Sequence, residues 1–141
     1  MKIKRIEHVG IVVSDLDGSR RLWENVLGIH LAEVEHLEQH QVRIAMYPIG
    51  ESMVELLAGT APDSKYARLA REGRAGLHHI CLEVEDIDGA LAELRTKGVP
   101  LLDETPRPGH QGSRIAFLDP AGTGNVLVEL VELPGKPTTH G

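Results

Sequence analysis

Residues 7–18 read EHVGIVVSDLDG, and residues 78–89 read HHICLEVEDIDG, a related pattern 71 positions further along the chain. The same offset pairs residues 43–46 (RIAM) with 114–117 (RIAF), and an offset of 74 pairs 54–57 (VELL) with 128–131 (VELV). Three matching blocks occur in the same order, with one small insertion between the second and the third. This arrangement indicates an internal duplication. The chain is therefore predicted to fold as one domain, residues 1–141, with repeats at about 4–58 and 76–132.

Each repeat shows the same succession of hydrophobic periods. Short apolar runs rich in β-branched residues predict strands at 4–13, 30–37, 42–47 and 52–57, then at 77–84, 100–103, 113–118 and 126–131. After the first strand of each repeat, Asp15 or Asp86 can cap a helix, which Gly28 or Gly98 ends. The core side of these helices is expected to carry the following apolar residues: Leu16, Leu22, Trp23 and Val26, then Ile87, Leu91 and Leu94. The fold class is α+β, with two βαβββ modules in tandem and a linker helix at about 63–72.

Composition excludes several classes of protein. The net charge is −6, whereas a nucleic-acid-binding protein has a basic surface. No apolar stretch approaches the roughly 20 residues that a membrane helix needs, and the N-terminus has no signal-peptide pattern. The single cysteine, Cys81, allows no internal disulfide and is expected to be a small buried apolar residue. These features predict a cytoplasmic protein that binds neither membranes nor nucleic acids.

The duplication selects four chemically active residues. His8 and His79 occupy equivalent positions in the first strands, and Glu55 and Glu129 occupy equivalent positions in the last strands. A glutamate between apolar neighbours is costly to bury unless it is paired. A divalent cation between the repeats satisfies two imidazoles and two carboxylates at once, so these four residues are the predicted metal ligands. Gly10, on the same strand face as His8, is expected to leave space beside the ligands.

The other histidines give weaker signals. His78 is expected to point to the face opposite His79 because strand side chains alternate. His36 and His40 have a spacing that suits a helical ligand pair, but their polar neighbours favour an exposed hairpin. The remaining three histidines, His30, His110 and His140, have no equivalent in the other repeat.

Together these features resemble the vicinal oxygen chelate superfamily over about residues 4–132. Within it, the chain is similar to the methylmalonyl-CoA epimerases through residues 63–64, 76–80, 86–88, 104–109, 112–118 and 126–130. The resemblance implies a cupped mixed sheet around one metal, a homodimer, and interconversion of (2R)- and (2S)-methylmalonyl-CoA by proton exchange at C2 through a metal-stabilised enolate. Glu55 and Glu129 are the expected acid and base. The metal is expected to be Co²⁺, with Mn²⁺, Ni²⁺, Zn²⁺ and Fe²⁺ as alternatives.

Two positions depart from the epimerase pattern. Asp119-Pro120-Ala121 stands where the family usually has His-Pro-Lys, which removes a cation suited to substrate phosphate. Ile44 stands where some epimerases have an additional glutamate on the third strand. We expect Lys65, Arg68 and Arg71, spaced along the linker helix, to supply the positive charge for the CoA phosphates, although a solvated helix face is the simpler interpretation.

Three other functions compete with the epimerase. A glyoxalase-I-type lactoylglutathione lyase uses a similar ligand set. A ring-cleaving dioxygenase needs two histidines and only one carboxylate on iron, so the additional Glu55 is unfavourable to it. An antibiotic-sequestering binding protein needs no metal, which leaves the four predicted ligands without a purpose.

Overall fold

The computed structural model describes residues 1–135, which form two compact units. The first unit is His8–His79, and the second combines Met1–Glu7 with the described chain from Ile80 onward. The element order is β1 (Ile3–Val12), α1 (Leu16–Arg20), β2 (Glu33–Leu37), β3 (Val42–Ile49), β4 (Ser52–Gly59), α2 (Lys65–Arg71), β5 (Gly76–Val84), α3 (Ile87–Thr96), β6 (Arg107–Pro108), β7 (Arg114–Phe117) and β8 (Val128–Glu132). The predicted α+β class and the repeated βαβββ order are confirmed. The unassigned His140 lies outside the described residues, as does most of the tail after Leu133, which the sequence predicts to fray.

The first unit contains four strands in the order β2-β3-β4-β1, with β1 parallel to β4 and the other neighbours antiparallel. One sheet face packs Tyr47 and Leu56 against Leu16 of α1 in a buried cluster. The opposite face carries His8 and, through the register that pairs Gly10 with Glu55, the glutamate of β4. The sheet therefore separates the core beneath α1 from the face that carries the candidate ligands, and α2 packs on that second face.

The second unit repeats this plan with the strand order β5-β8-β7-β6, and it contains β5 from Ile80 onward, where this strand runs parallel to β8. Helix α3 buries Ile87 and Leu91 against Leu130 and the neighbouring strands. Glu129 pairs in register with Cys81 and belongs to the other face of this sheet. The two glutamates thus occupy equivalent places, each on the sheet face that its own helix leaves uncovered.

The first-repeat helix differs from its prediction. Helix α1 has only five residues and continues as a π-helical segment at Arg21–Val26, in which the backbone N–H of Leu27 donates to the carbonyl of Leu22. This wider winding shifts the apolar positions around the axis, so Leu22 and Val26 are exposed rather than buried, while Trp23 packs against Tyr47. The second-repeat prediction is confirmed, since Ile87 and Leu91 are buried and Leu94 packs beside them.

The predicted helix ends agree with the structure. Asp15 and Asp86 each accept a hydrogen bond at 3.1 Å from a backbone N–H three residues on, as N-caps do. Gly28 and Gly98 have φ values of 71° and 75°, a left-handed conformation that favours glycine. Among residues 1–135, no helix combines the length and the apolar composition that a bilayer crossing requires.

The predicted strand at 100–103 is wrong. Leu101 forms only an isolated bridge to Leu118, and the sheet edge is instead the two-residue strand β6. Pro100 has no N–H to donate, which weakens a ladder that begins there. Its carbonyl accepts from Asp119 and so joins two loops instead.

Candidate metal and active site

His8 on β1 and His79 on β5 bring their imidazoles into direct contact. The two Nε2 atoms lie 2.9 Å apart, and the rings meet edge to face with centroids 5.0 Å apart. Both side chains are buried, with 9% and 7% of the residue surface exposed. The structure therefore brings together the two histidines that the repeat selects.

Gly10 makes this contact sterically feasible. A Cβ placed on Gly10 would lie 2.2 Å from Cε1 and 2.6 Å from Nδ1 of His79. The imidazole of His79 thus occupies the volume that any larger residue at position 10 would need. The sequence predicts space beside His8, and the structure shows which side chain fills it.

The Nδ1 atom of each imidazole has a partner of its own. Oε2 of Glu55 lies 3.6 Å from Nδ1 of His8, and Nδ1 of His78 lies 2.8 Å from Nδ1 of His79. The expectation that His78 turns away from His79 is wrong at these atoms. Nδ1 is the ring nitrogen nearest the main chain, so two successive imidazoles can meet beside the strand. In the sequence, the adjacency of His78 and His79 is the feature that indicates this contact.

Burial keeps His79 uncharged. Burial, followed by the positive potential of His8, His78 and Lys65, lowers the pKa of His79 to about 3. Burial, with a smaller effect of Lys65, also lowers the pKa of His78. A neutral imidazole has one lone pair available for a metal ion, whereas an imidazolium has none.

The imidazole pair fits a divalent cation. Two nitrogen ligands about 2.1 Å from one ion and at a right angle to each other are about 3.0 Å apart, close to the Nε2 separation of 2.9 Å. Imidazole suits Zn²⁺, Fe²⁺, Ni²⁺ and related ions rather than Ca²⁺ or Mg²⁺. His8 and His79 are accordingly both present among the potential metal ligands of the described chain.

Glu55 belongs to the first unit and Glu129 to the second. The side chain of Glu55 is 15% exposed and contacts His8 from its Nδ1 side. Glu129 is 7% exposed and lies in β8, in register with Cys81 and Phe117. Both carboxylates are thus largely withdrawn from solvent at repeat-equivalent positions.

The linker helix α2 brings a cation and an aromatic ring to His78. Tyr66 packs edge to face on the imidazole of His78 with centroids 5.7 Å apart, and the ammonium of Lys65 lies 5.1 Å from the centre of the Tyr66 ring. Arg68 is exposed, and Arg71 donates to the carbonyl of Pro62 at 2.7 Å. Sequence reasoning missed Tyr66 because a single aromatic residue in a helix resembles an ordinary core residue.

The remaining predicted features fall outside this cluster. His36 and His40 are exposed on β2 and the following turn, as expected, and Cys81 is fully buried. Ile44 packs in the apolar cluster with Val12 and Leu57. Asp119 accepts from the backbone N–H of Ala121 at 2.9 Å and so caps a short turn.

Comparison with known proteins gives the class of this chain. A family model described as the Glyoxalase/Bleomycin resistance protein/Dioxygenase superfamily matches residues 7–117. The mitochondrial methylmalonyl-CoA epimerase of Bos taurus is 36% identical over 127 residues, which cover 89% of this chain and 73% of that protein. The chain belongs to the glyoxalase/bleomycin resistance/dioxygenase superfamily and, within it, to the methylmalonyl-CoA epimerase family.

Two further relatives show how far the similarity extends. The ethylmalonyl-CoA/methylmalonyl-CoA epimerase of Cereibacter sphaeroides is 32% identical, with 93% of this chain and 99% of that protein covered. A variant of the Streptomyces coelicolor methylmalonyl-CoA epimerase, solved in complex with 2-nitronate-propionyl-CoA, superimposes with a TM-score of 0.82. It is 36% identical, and the match covers 93% of this chain and 95% of that one.

Proposed function

We propose that this protein interconverts (2R)- and (2S)-methylmalonyl-CoA by proton exchange at C2. The observation that carries the proposal is the buried His8–His79 pair, whose Nε2 atoms lie 2.9 Å apart, in a chain that is 36% identical to an epimerase. The complex of the Streptomyces coelicolor relative with a propionyl-CoA analogue supports a CoA thioester as the substrate class.

The proposed metal ligands are His8, Glu55, His79 and Glu129. The geometry of the imidazole pair supports His8 and His79. Support for Glu55 comes from the repeat, since its Oε2 approaches His8 on the Nδ1 side of the ring. Support for Glu129 comes from the repeat and from its burial on β8. A bound divalent cation supplies a Lewis acid for the substrate oxygens. We propose Co²⁺, with Mn²⁺, Ni²⁺, Zn²⁺ and Fe²⁺ as substitutes.

The two glutamates are the proposed proton carriers. One carboxylate takes the proton from C2, and the electron pair of the broken C–H bond becomes the C1–C2 double bond of an enolate. The other, in its protonated form, returns a proton to the opposite face and inverts the configuration. General acid–base groups of this kind contribute about 10²–10⁴-fold to a rate.

Deuterium incorporation tests this proposal directly. The Co²⁺-loaded protein is incubated with (2R)-methylmalonyl-CoA in D2O, and we expect deuterium at C2 together with formation of the 2S epimer. A chelator should stop both processes, and re-addition of Co²⁺ should restore them. Metal-loaded protein that leaves C2 protonated would contradict the epimerase proposal and favour the lyase.

We further propose that Lys65, Arg68 and Arg71 of α2 bind the CoA phosphates. The double variant Arg68→Glu/Arg71→Glu should raise KM for the CoA thioester by roughly fivefold or more with little change in kcat, because exposed ion pairs contribute modestly to binding. Arg95→Glu/Lys97→Glu makes the same charge change at the C-terminal end of α3 and its capping residue and serves as the control. Equal KM values for the two double variants would remove these arginines from the binding site.

From the family resemblance we also propose a homodimer, and from the single cysteine a cytoplasmic protein. Sedimentation equilibrium tests the first of these proposals, since it should give twice the monomer mass. Fractionation of cells that produce the protein tests the second.

A further inference from the structure

Three imidazoles form a continuous row in the first unit. His8 and His79 meet through their Nε2 atoms at 2.9 Å, and His79 and His78 meet through their Nδ1 atoms at 2.8 Å. His79 is the middle member, so each of its two ring nitrogens faces another imidazole nitrogen. The ring of His79 is thus held at both edges.

The Nδ1 contact restricts where the protons are. Two nitrogens 2.8 Å apart are at hydrogen-bond distance, so one of them carries the proton and the other accepts it. If His78 were the donor, a neutral His79 would carry its proton on Nε2 and could not bind a cation there. If His79 is the donor, its Nε2 carries no proton, and the lone pair of that atom is directed at Nε2 of His8, 2.9 Å away.

We infer that His78 is a positioning residue, whose Nδ1 accepts the Nδ1 proton of His79 and so keeps Nε2 of His79 available for a divalent cation. This inference rests on the metal ligands named under the proposed function. Metal-binding histidines commonly donate their second ring N–H to an outer acceptor, and loss of that acceptor typically weakens metal binding 10–100-fold.

The surroundings of His78 hold its ring in place for this task. Tyr66 of α2 packs edge to face against the imidazole, and its own ring lies under the ammonium of Lys65. Tyr66 also belongs to the apolar cluster that contains Val12 and Leu57. Helix α2 therefore packs on His78 through Tyr66, and His78 in turn contacts the ring of His79.

The experiment compares Zn²⁺ affinity across three variants, measured by competition with a chromophoric chelator. His78→Leu removes the acceptor and should raise the Zn²⁺ dissociation constant by about 10–100-fold. His78→Asn offers a carbonyl oxygen near the former Nδ1 position and should bind Zn²⁺ within about threefold of the original protein. His40→Leu removes an exposed imidazole outside the row and should change nothing.

Nitrogen-15 NMR of the Zn²⁺-loaded protein gives a readout that a loss of packing alone would not produce. In the original protein and in His78→Asn, Nδ1 of His79 should show the chemical shift of a protonated ring nitrogen. Equal Zn²⁺ affinity in His78→Leu and His40→Leu would overturn the inference, as would a His79 with its proton on Nε2 or an original protein that does not bind Zn²⁺. Zn²⁺ binding that depends on position 78 without deuterium exchange would instead retain the inference and contradict the epimerase.

Discussion

The Gly10→Ala variant should lose its metal site. The added Cβ would stand 2.2 Å from Cε1 and 2.9 Å from Nε2 of His79, so the imidazole has to leave its place opposite His8. Because the ring that moves is a proposed ligand, we expect Zn²⁺ to bind about 100-fold more weakly or not at all, at the upper end of what outer contacts alone produce. Calorimetric titration with Zn²⁺ measures the effect.

Two further variants identify the cause of that loss. Gly135→Ala introduces the same methyl group where nothing lies within 4 Å, and should leave metal binding unchanged. Overpacking of a buried site costs about 1–3 kcal/mol, so Gly10→Ala should also lower the free energy of unfolding in urea. The double variant Gly10→Ala/His79→Ala should recover that stability because the overlapping ring is gone. An unaltered Zn²⁺ affinity in Gly10→Ala would show that His79 does not bind the ion in this orientation.

Replacement of either glutamate by glutamine should abolish epimerisation. Glu129→Gln and Glu55→Gln keep the size of the side chain and remove its ability to take a proton, so we expect deuterium incorporation at C2 to fall by about 10²–10⁴-fold. Zn²⁺ affinity, measured on the same samples, separates the two proposed roles. A ligand that is lost weakens metal binding, whereas a proton carrier that is lost leaves the metal in place.

Glu83 provides a matched control for this pair. It is a buried carboxylate with 6% exposure, close to the 7% of Glu129, and it lies in the same unit. Arg5 and Lys4 bind it at 2.6 Å and 3.3 Å, so its charge already has partners. Glu83→Gln should therefore lower stability while deuterium exchange continues. If Glu55→Gln also retains most exchange, Glu55 has no part in proton transfer.

The amino-acid sequence by itself determined the repeated architecture. The two capping aspartates and the glycines after the helices are local signals, and both repeats follow them. The same duplication singled out His8 and His79 among eight histidines. Both lie in the first strands of their repeats, where the structure brings their Nε2 atoms together.

Predictions from local sequence pattern failed in two places. In one the helix winding changed, and in the other a proline lacks the backbone N–H that a strand needs. The switch from α to π winding after Arg20 exposed Leu22 and Val26, a change that a 3.6-residue period cannot express. The strand expected at 100–103 gave way to a single bridge at Leu101. In both places the apolar residues are present, but the backbone hydrogen bonds form a pattern that differs from the predicted one.

Only the tertiary structure decided the arrangement around the imidazoles. The alternation of strand side chains placed His78 away from the site, yet its Nδ1 lies 2.8 Å from that of His79. Gly10 could be predicted to leave space, but not that this space belongs to the ring of His79. The physical reason is that ring rotation and close packing depend on residues far apart in sequence, whereas sequence periodicity reports only which face of a strand a residue occupies.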